Sequence, residues 1–114
     1  MGIREIYYSQ EYEEYYKSLD EKTQEKFDYV EYVIRNIKVV NKKFVKNLEN
    51  TEFYEARISL GNNEYRTIVF AIDADSFVEC QKVLFLNSFL KKDTKQYRKE
   101  VDKASRIIKK YMEE

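Results

Sequence analysis

Residues 53–70, FYEARISLGNNEYRTIVF, constrain the fold more than any other stretch. Two runs of period two flank Gly61-Asn62-Asn63, residue types that accept the left-handed backbone of a tight hairpin loop. On the first arm Tyr54, Ala56 and Ile58 alternate with Phe53, Glu55, Arg57 and Ser59. On the second, Tyr65, Thr67, Val69 and Ala71 alternate with Arg66, Ile68, Phe70 and Ile72, so one arginine interrupts an apolar face. The pattern predicts an antiparallel hairpin with an arginine on each strand. Two such arginines can converge on one anionic group; the plainer reading pairs them with Glu55 and Glu64 as strand-surface charges.

Around this hairpin the chain reads as alternating elements. Residues 3–8 predict a first strand, and Ser9 an N-cap for a helix over 10–19 with Tyr12, Tyr15, Tyr16 and Leu19 on one side. Asp20 caps a longer helix reaching about Val40, with Phe27, Val30, Ile34 and Ile37 at helical spacing and Tyr29, Tyr32 and Val33 widening the stripe. Residues 41–52 form a connection anchored by Phe44, Val45 and Leu48. After the hairpin, residues 73–76 turn and residues 77–89 make a long third antiparallel strand. Its run Val83-Leu84-Phe85-Leu86 is apolar at every position, as in a strand buried on both faces. Asp93 or Thr94 caps a last helix to about Tyr111, with Val101, Ala104, Ile108 and Tyr111 as its seam.

The expected fold class is therefore α+β, in the order β-α-α-β-β-β-α. A helical hairpin lies on one face of a small, mostly antiparallel sheet of three or four strands, and a helix closes the chain. At 114 residues without proline there is length for one core and no linker composition, so residues 1–114 read as a single domain.

Composition removes several function classes. The sequence has no histidine, which excludes histidine-based triads and imidazole metal sites. The lone Cys80 can form no internal disulfide and reads as a small buried hydrophobe in a strand. Asp73 and Asp75 flank a turn without further ligands, so neither metal nor cofactor is expected. No run approaches the roughly 20 apolar residues of a membrane span, and the first ten residues lack a signal-peptide layout, so the expected setting is the cytoplasm, away from membranes. The net charge of zero hides an asymmetry: residues 82–110 carry ten basic and three acidic side chains, a net of +7. Such a block suits a polyanion, or else forms the solvated face of a basic helix.

Three segments in order, Tyr54-Glu55-Ala56-Arg57-Ile58, Glu64-Tyr65-Arg66 and Phe89-Leu90-Lys91-Lys92-Asp93-Thr94-Lys95, resemble the core of the RelE/HigB toxin superfamily, and within it the branch related to phage Gp49-like proteins. Members of that family show a Y/W-E-L-R-I strand, a Y-R at the start of the next strand and F-x-K-K-T before the last helix. The element order is also theirs, so the resemblance covers essentially the whole chain. It implies the toxin of a bacterial type II toxin–antitoxin pair, a RelE-like fold and a ribosome-dependent mRNA endonuclease that inhibits translation. It implies a helix-turn-helix antitoxin as partner, mRNA on the ribosome as substrate, and DNA contact only through the antitoxin. By matching position, Arg57 and Arg66 are the motif arginines, Lys91 or Lys92 is the basic residue after the last strand, and Tyr97 stands where some members contact the substrate base. Lys95 and Arg98 add RNA-binding cations beside them. Ala56 replaces the usual leucine, Asp93 interrupts the basic segment, and the chain is neutral overall. These departures bear on activity more than on fold. They keep a second reading open, a non-catalytic protein of the same fold acting through an antitoxin or another host partner.

Metal-free RNA cleavage needs a proton acceptor for the attacking 2′-hydroxyl, cations for the phosphorane oxygens and a donor for the leaving 5′-oxygen. Arginine suits the second task, because its planar fork meets two phosphate oxygens at once, and preorganised cations are usually the largest catalytic term. Arg57, Arg66 and Lys91 or Lys92 fit it. Glu55, beside Arg57 on the same face, and a lysine desolvated among other cations are the two acceptors the residues leave open. Tyr97 suits stacking on a base or ordinary packing. The expected arrangement is one cationic cluster of Arg57, Arg66 and Lys91/Lys92 on the sheet face opposite the helical hairpin, with both arginines surface-facing and dispensable for folding.

Overall fold

In the computed structural model, which describes residues 2–113, eight elements follow one another. They are β1 (Glu5–Tyr8), α1 (Gln10–Lys17), α2 (Glu21–Asn36), β2 (Val45–Asn47), β3 (Phe53–Leu60), β4 (Asn63–Ala71), β5 (Lys82–Leu90) and α3 (Lys95–Met112). The strands form one sheet in the order β1-β5-β4-β3-β2, with β1 parallel to β5 and the other neighbours antiparallel. The fold is α+β and RelE-like. The sheet has five strands where three or four were expected, because β2 adds a short edge by pairing Val45 with Ala56 and Asn47 with Tyr54.

Capping chemistry sets the helix starts. Ser9 Oγ accepts from the Tyr12 amide at 2.9 Å and Asp20 Oδ1 from the Thr23 amide at 2.8 Å. The central hairpin closes as its turn residues require: Leu60 pairs with Asn63, leaving Gly61 and Asn62 as the loop, and Gly61 takes φ +60°.

Two boundaries differ from the sequence reading by more than two residues. The second helix stops at Asn36 instead of near Val40, since Ile37 is already extended at φ −105° and ψ 124°. Arg4 takes up the freed carbonyls. Its Nη1 donates to Ile34 O at 2.8 Å and Ile37 O at 2.6 Å, and its Nη2 to Lys38 O at 2.7 Å and Phe77 O at 3.0 Å. Only 2% exposed and 4.7 Å above the Phe77 ring, Arg4 clamps the end of α2 to the segment between β4 and β5. The last strand begins at Lys82, not at residue 77. Asp73 Oδ1 accepts from the Gln81 and Lys82 amides, both at 3.0 Å, and folds residues 73–81 into a turn that buries Phe77 against Tyr54. Cys80 is buried and free, as expected, but lies in that turn.

The period-two pattern sorts the sheet's faces as read. Ala56 and Ile58 of β3 and Tyr65, Val69 and Ala71 of β4 pack with Tyr12 of α1 and Phe27, Val30 and Ile34 of α2. On the other face Phe53, Ile68, Leu84, Leu86 and Phe89 pack with Ala104, Ile107 and Ile108 of α3. Cover on both sides explains why β5 is apolar at successive positions. Each fully enclosed side chain, such as Ile34 or Ile68, stabilises the fold by roughly 1.5–3 kcal/mol. A bulge leaves Leu86 unpaired between the Ile68–Asn87 and Val69–Phe85 pairs, and the Ser9 hydroxyl donates to its carbonyl. No helix among the described residues is long and apolar enough to cross a membrane.

Candidate functional site

The register of β3 with β4 sets Arg57 directly opposite Arg66, on the face covered by α3. Like charges facing each other across strands repel. Glu55, two residues before Arg57, stands between them: its Oε2 lies 3.1 Å from Arg57 Nε and 3.7 Å from Arg66 Nε. The contact to Arg57 is close enough for charge attraction but is not aligned as a hydrogen bond. Arg66 is held from three further sides. Its Nε donates to the Tyr97 hydroxyl at 3.1 Å, and its Nη1 to Tyr65 O at 2.9 Å and to Glu64 Oε1 at 3.4 Å.

Burial separates the two arginines. Arg66 is 2% exposed and Glu55 4%, whereas the Arg57 side chain remains 30% exposed. The expectation that both arginines face the surface is corrected for Arg66. α3 crosses over that end of the sheet, and Tyr97, packed edge-on against Phe89 at 5.4 Å, brings its hydroxyl onto the guanidinium. The pairing with Glu55 and Glu64 is present: Arg66 meets Glu55 in the interior, while its other partner Glu64 keeps a side chain 43% exposed.

Lys91 and Lys92 lie exposed in the loop between β5 and α3. The Lys91 amide donates to Glu64 O at 2.7 Å, which ties this loop to the start of β4 beside the arginine group. Lys95 and Arg98 project from the first turn of α3 and are exposed. Among the described residues, no ion pair or hydrogen bond joins the side chains of Lys91, Lys92, Lys95 or Arg98 to Arg57 or Arg66. The structure thus draws together Glu55, Arg57, Arg66 and Tyr97 and leaves these four cations outside that contact network. Asp93, the residue that interrupts the basic segment, caps α3: its Oδ1 accepts from the Gln96 amide at 3.1 Å. Gln96 in turn accepts from the Lys92 amide at 2.8 Å and donates to Leu90 O at 2.9 Å, which shapes the lysine-bearing loop. Thr94, the other cap candidate, makes no side-chain cap bond.

The environment tunes two of these groups. Burial first, then the neighbouring Glu55 carboxylate, pushes the Tyr97 hydroxyl above its ordinary pKa, against an opposing pull from Arg66. The Ser59 hydroxyl, at 2.8 Å, and then Arg66 and Lys91 hold the Glu64 carboxyl below its ordinary value against the effect of burial. The result is a half-exposed guanidinium, a second one fixed behind it, a buried carboxylate between them and a neutral phenol. Such a group can bind a phosphate and hand protons to or from it.

Four residues beside this group carried no site signal in the sequence. Lys26 and Tyr29 of α2, with Lys43 and Phe44 before β2, line a cleft of about 520 Å³ together with Arg57, Ser59, Glu64 and Arg66. Tyr29 fell on the apolar stripe of a helix and read as core, yet it is 55% exposed.

The family described as phage derived protein Gp49-like (DUF891) matches residues 14–109, a span that includes Glu55, Arg57, Arg66, Lys91, Lys92 and Tyr97. No curated protein matches the chain.

Proposed function

The chain belongs to the Gp49-like family, a RelE/HigB-like toxin family, and from that premise we propose that it is a ribosome-dependent mRNA endonuclease of a type II toxin–antitoxin module. Family membership implies an antitoxin partner. The finer reading is a single toxin domain over residues 1–114 that works on mRNA in the ribosome, in the cytoplasm, without a metal. Its antitoxin is a helix-turn-helix protein that supplies any contact with DNA.

The observation that carries the reading is the cross-strand pair of Arg57 and Arg66 sharing Glu55, with the Tyr97 hydroxyl on Arg66. Arg57 is the cation that substrate can reach, and its fork suits two oxygens of the scissile phosphate. Arg66 has its geometry fixed by Glu64, Tyr65 and Tyr97, so it meets developing charge without reorganising. Glu55 is the acceptor for the 2′-hydroxyl proton; the alternative of a desolvated lysine does not fit Lys91 and Lys92, which lie exposed and serve as cations. Tyr97, kept protonated by burial, is a donor for the leaving 5′-oxygen. Lys92, Lys95 and Arg98 contribute electrostatic hold on the RNA backbone.

A second reading, a binding protein of the same fold, draws on the neutralisation of Arg66 by two carboxylates. Mapping mRNA 5′ ends after induction in cells separates the two. The catalytic reading expects growth arrest with new ends inside translated frames that vanish when initiation is blocked. Arrest without new ends would leave only the binding reading.

A further inference from the structure

The cleft beside Arg57 has a wall on α2 that the proposed reaction leaves unused. It opens where β3 runs past β2: the β2 pairing reaches Ala56, and the last backbone tie is the Arg57 amide to Phe44 O at 2.7 Å. One wall carries Lys26 and Tyr29 of α2 with Lys43 and Phe44, and the other carries Arg57, Ser59 and Glu64. The Tyr29 and Phe44 rings stand 5.9 Å apart, and Lys43 Nζ lies 5.2 Å from the Phe44 ring centroid. Among the described residues neither Lys26 nor Lys43 takes part in an ion pair. Two uncommitted cations, an exposed aromatic ring and a shared wall with Arg57 thus occur together. Single-stranded RNA asks for this combination, with cations along its backbone and a ring surface for an unpaired base.

We infer that this cleft is a subsite for one nucleotide of single-stranded RNA next to the phosphate held by Arg57, its base against Tyr29 and its phosphate between Lys26 and Lys43. The inference rests on the RNA-cleaving reading above and extends it around the β3 edge to the helical hairpin. Arg57 is the joint, since it lines the cleft and also contacts Glu55. An acidic protein segment would use the lysines but would gain little from an exposed tyrosine between them.

The test is fluorescence anisotropy of a labelled single-stranded RNA of about ten nucleotides, titrated with the purified full chain across a salt series. Tyr29→Ala should weaken binding roughly tenfold, and Tyr29→Phe should restore it, because the ring and not the hydroxyl is used. Lys26→Ala with Lys43→Ala should weaken binding and flatten the salt slope by about 1.4, the loss expected for two phosphate contacts on a single strand. Lys17→Ala with Lys38→Ala removes two exposed lysines outside both the cleft and the basic block and should leave that slope nearer the wild-type value. Wild-type affinity and slope in the Tyr29→Ala and Lys26/Lys43 variants would overturn the inference while leaving the function to stand on the mapping of mRNA ends. A wild-type chain that binds no single-stranded RNA would overturn it too. If those variants keep RNA binding but no longer co-purify with the antitoxin, the cleft is a protein dock and the inference falls.

Discussion

Arg57 and Arg66 carry the same charge at opposed positions, yet the contacts around them predict different consequences of removal. Arg66→Ala strips a buried carboxylate of one of its two cations and frees the Tyr97 hydroxyl. Breaking such a pair costs roughly 3–5 kcal/mol, a large part of ordinary domain stability. Thermal denaturation should show Arg66→Ala the more strongly destabilised, since the Arg57 side chain is 30% exposed and its charge is partly solvated. Equal melting temperatures for the two variants would contradict the burial difference. The strand alternation already put both arginines on one face and Glu55 beside them. It could not show that Arg66 is covered, because the cover is Tyr97, 31 residues further on. Arg4 was illegible for the same reason: it sits in a short alternating run, while its acceptors lie 30 to 74 residues away.

Elements that bury a long periodic stripe were legible almost to their ends, as β3, β4 and the body of α2 show. Those fixed by distant partners were not. β2 is three residues long and exists only because β3 offers it an edge, too short a run for any period to register. The early stop of α2 depends on Arg4, and the late start of β5 on the Asp73 carboxylate. Asp93 shows a residue acting through its element. As the cap of α3 it sets the path of the loop that bears Lys91 and Lys92. Asp93→Ala should cost about 1 kcal/mol in denaturant unfolding, and a stability equal to wild type would show that the capping bond carries nothing.

Across the whole molecule, two cores on opposite sides of one sheet leave the arginine group at the margin of the α3 side. The helical-hairpin side is unusually rich in tyrosine, and its titration gives a pH signature. Burial first, then the bond to Asp28, pushes the Tyr16 hydroxyl up from 10.0 to about 12, and burial likewise raises Tyr8, Tyr12 and Tyr15. A raised phenol favours the protonated native state, so its contribution is intact below pH 10 and is lost as pH climbs toward 12. Denaturation midpoints should fall across that window together with the rise of phenolate absorbance; midpoints flat through it would refute the burial of these rings. The +7 block of residues 82–110 supplies most of the basic surface around α3, where an acidic antitoxin segment would associate fastest and block RNA at once. The most direct test of the account compares growth and mRNA cleavage on induction of the wild-type chain and of Arg57→Ala at matched soluble levels. The wild type should arrest growth, whereas Arg57→Ala should lose about 10²–10³ in cleavage rate and let cells grow, with Arg57→Lys a poor substitute. A soluble, folded Arg57→Ala protein that stays fully toxic would contradict it.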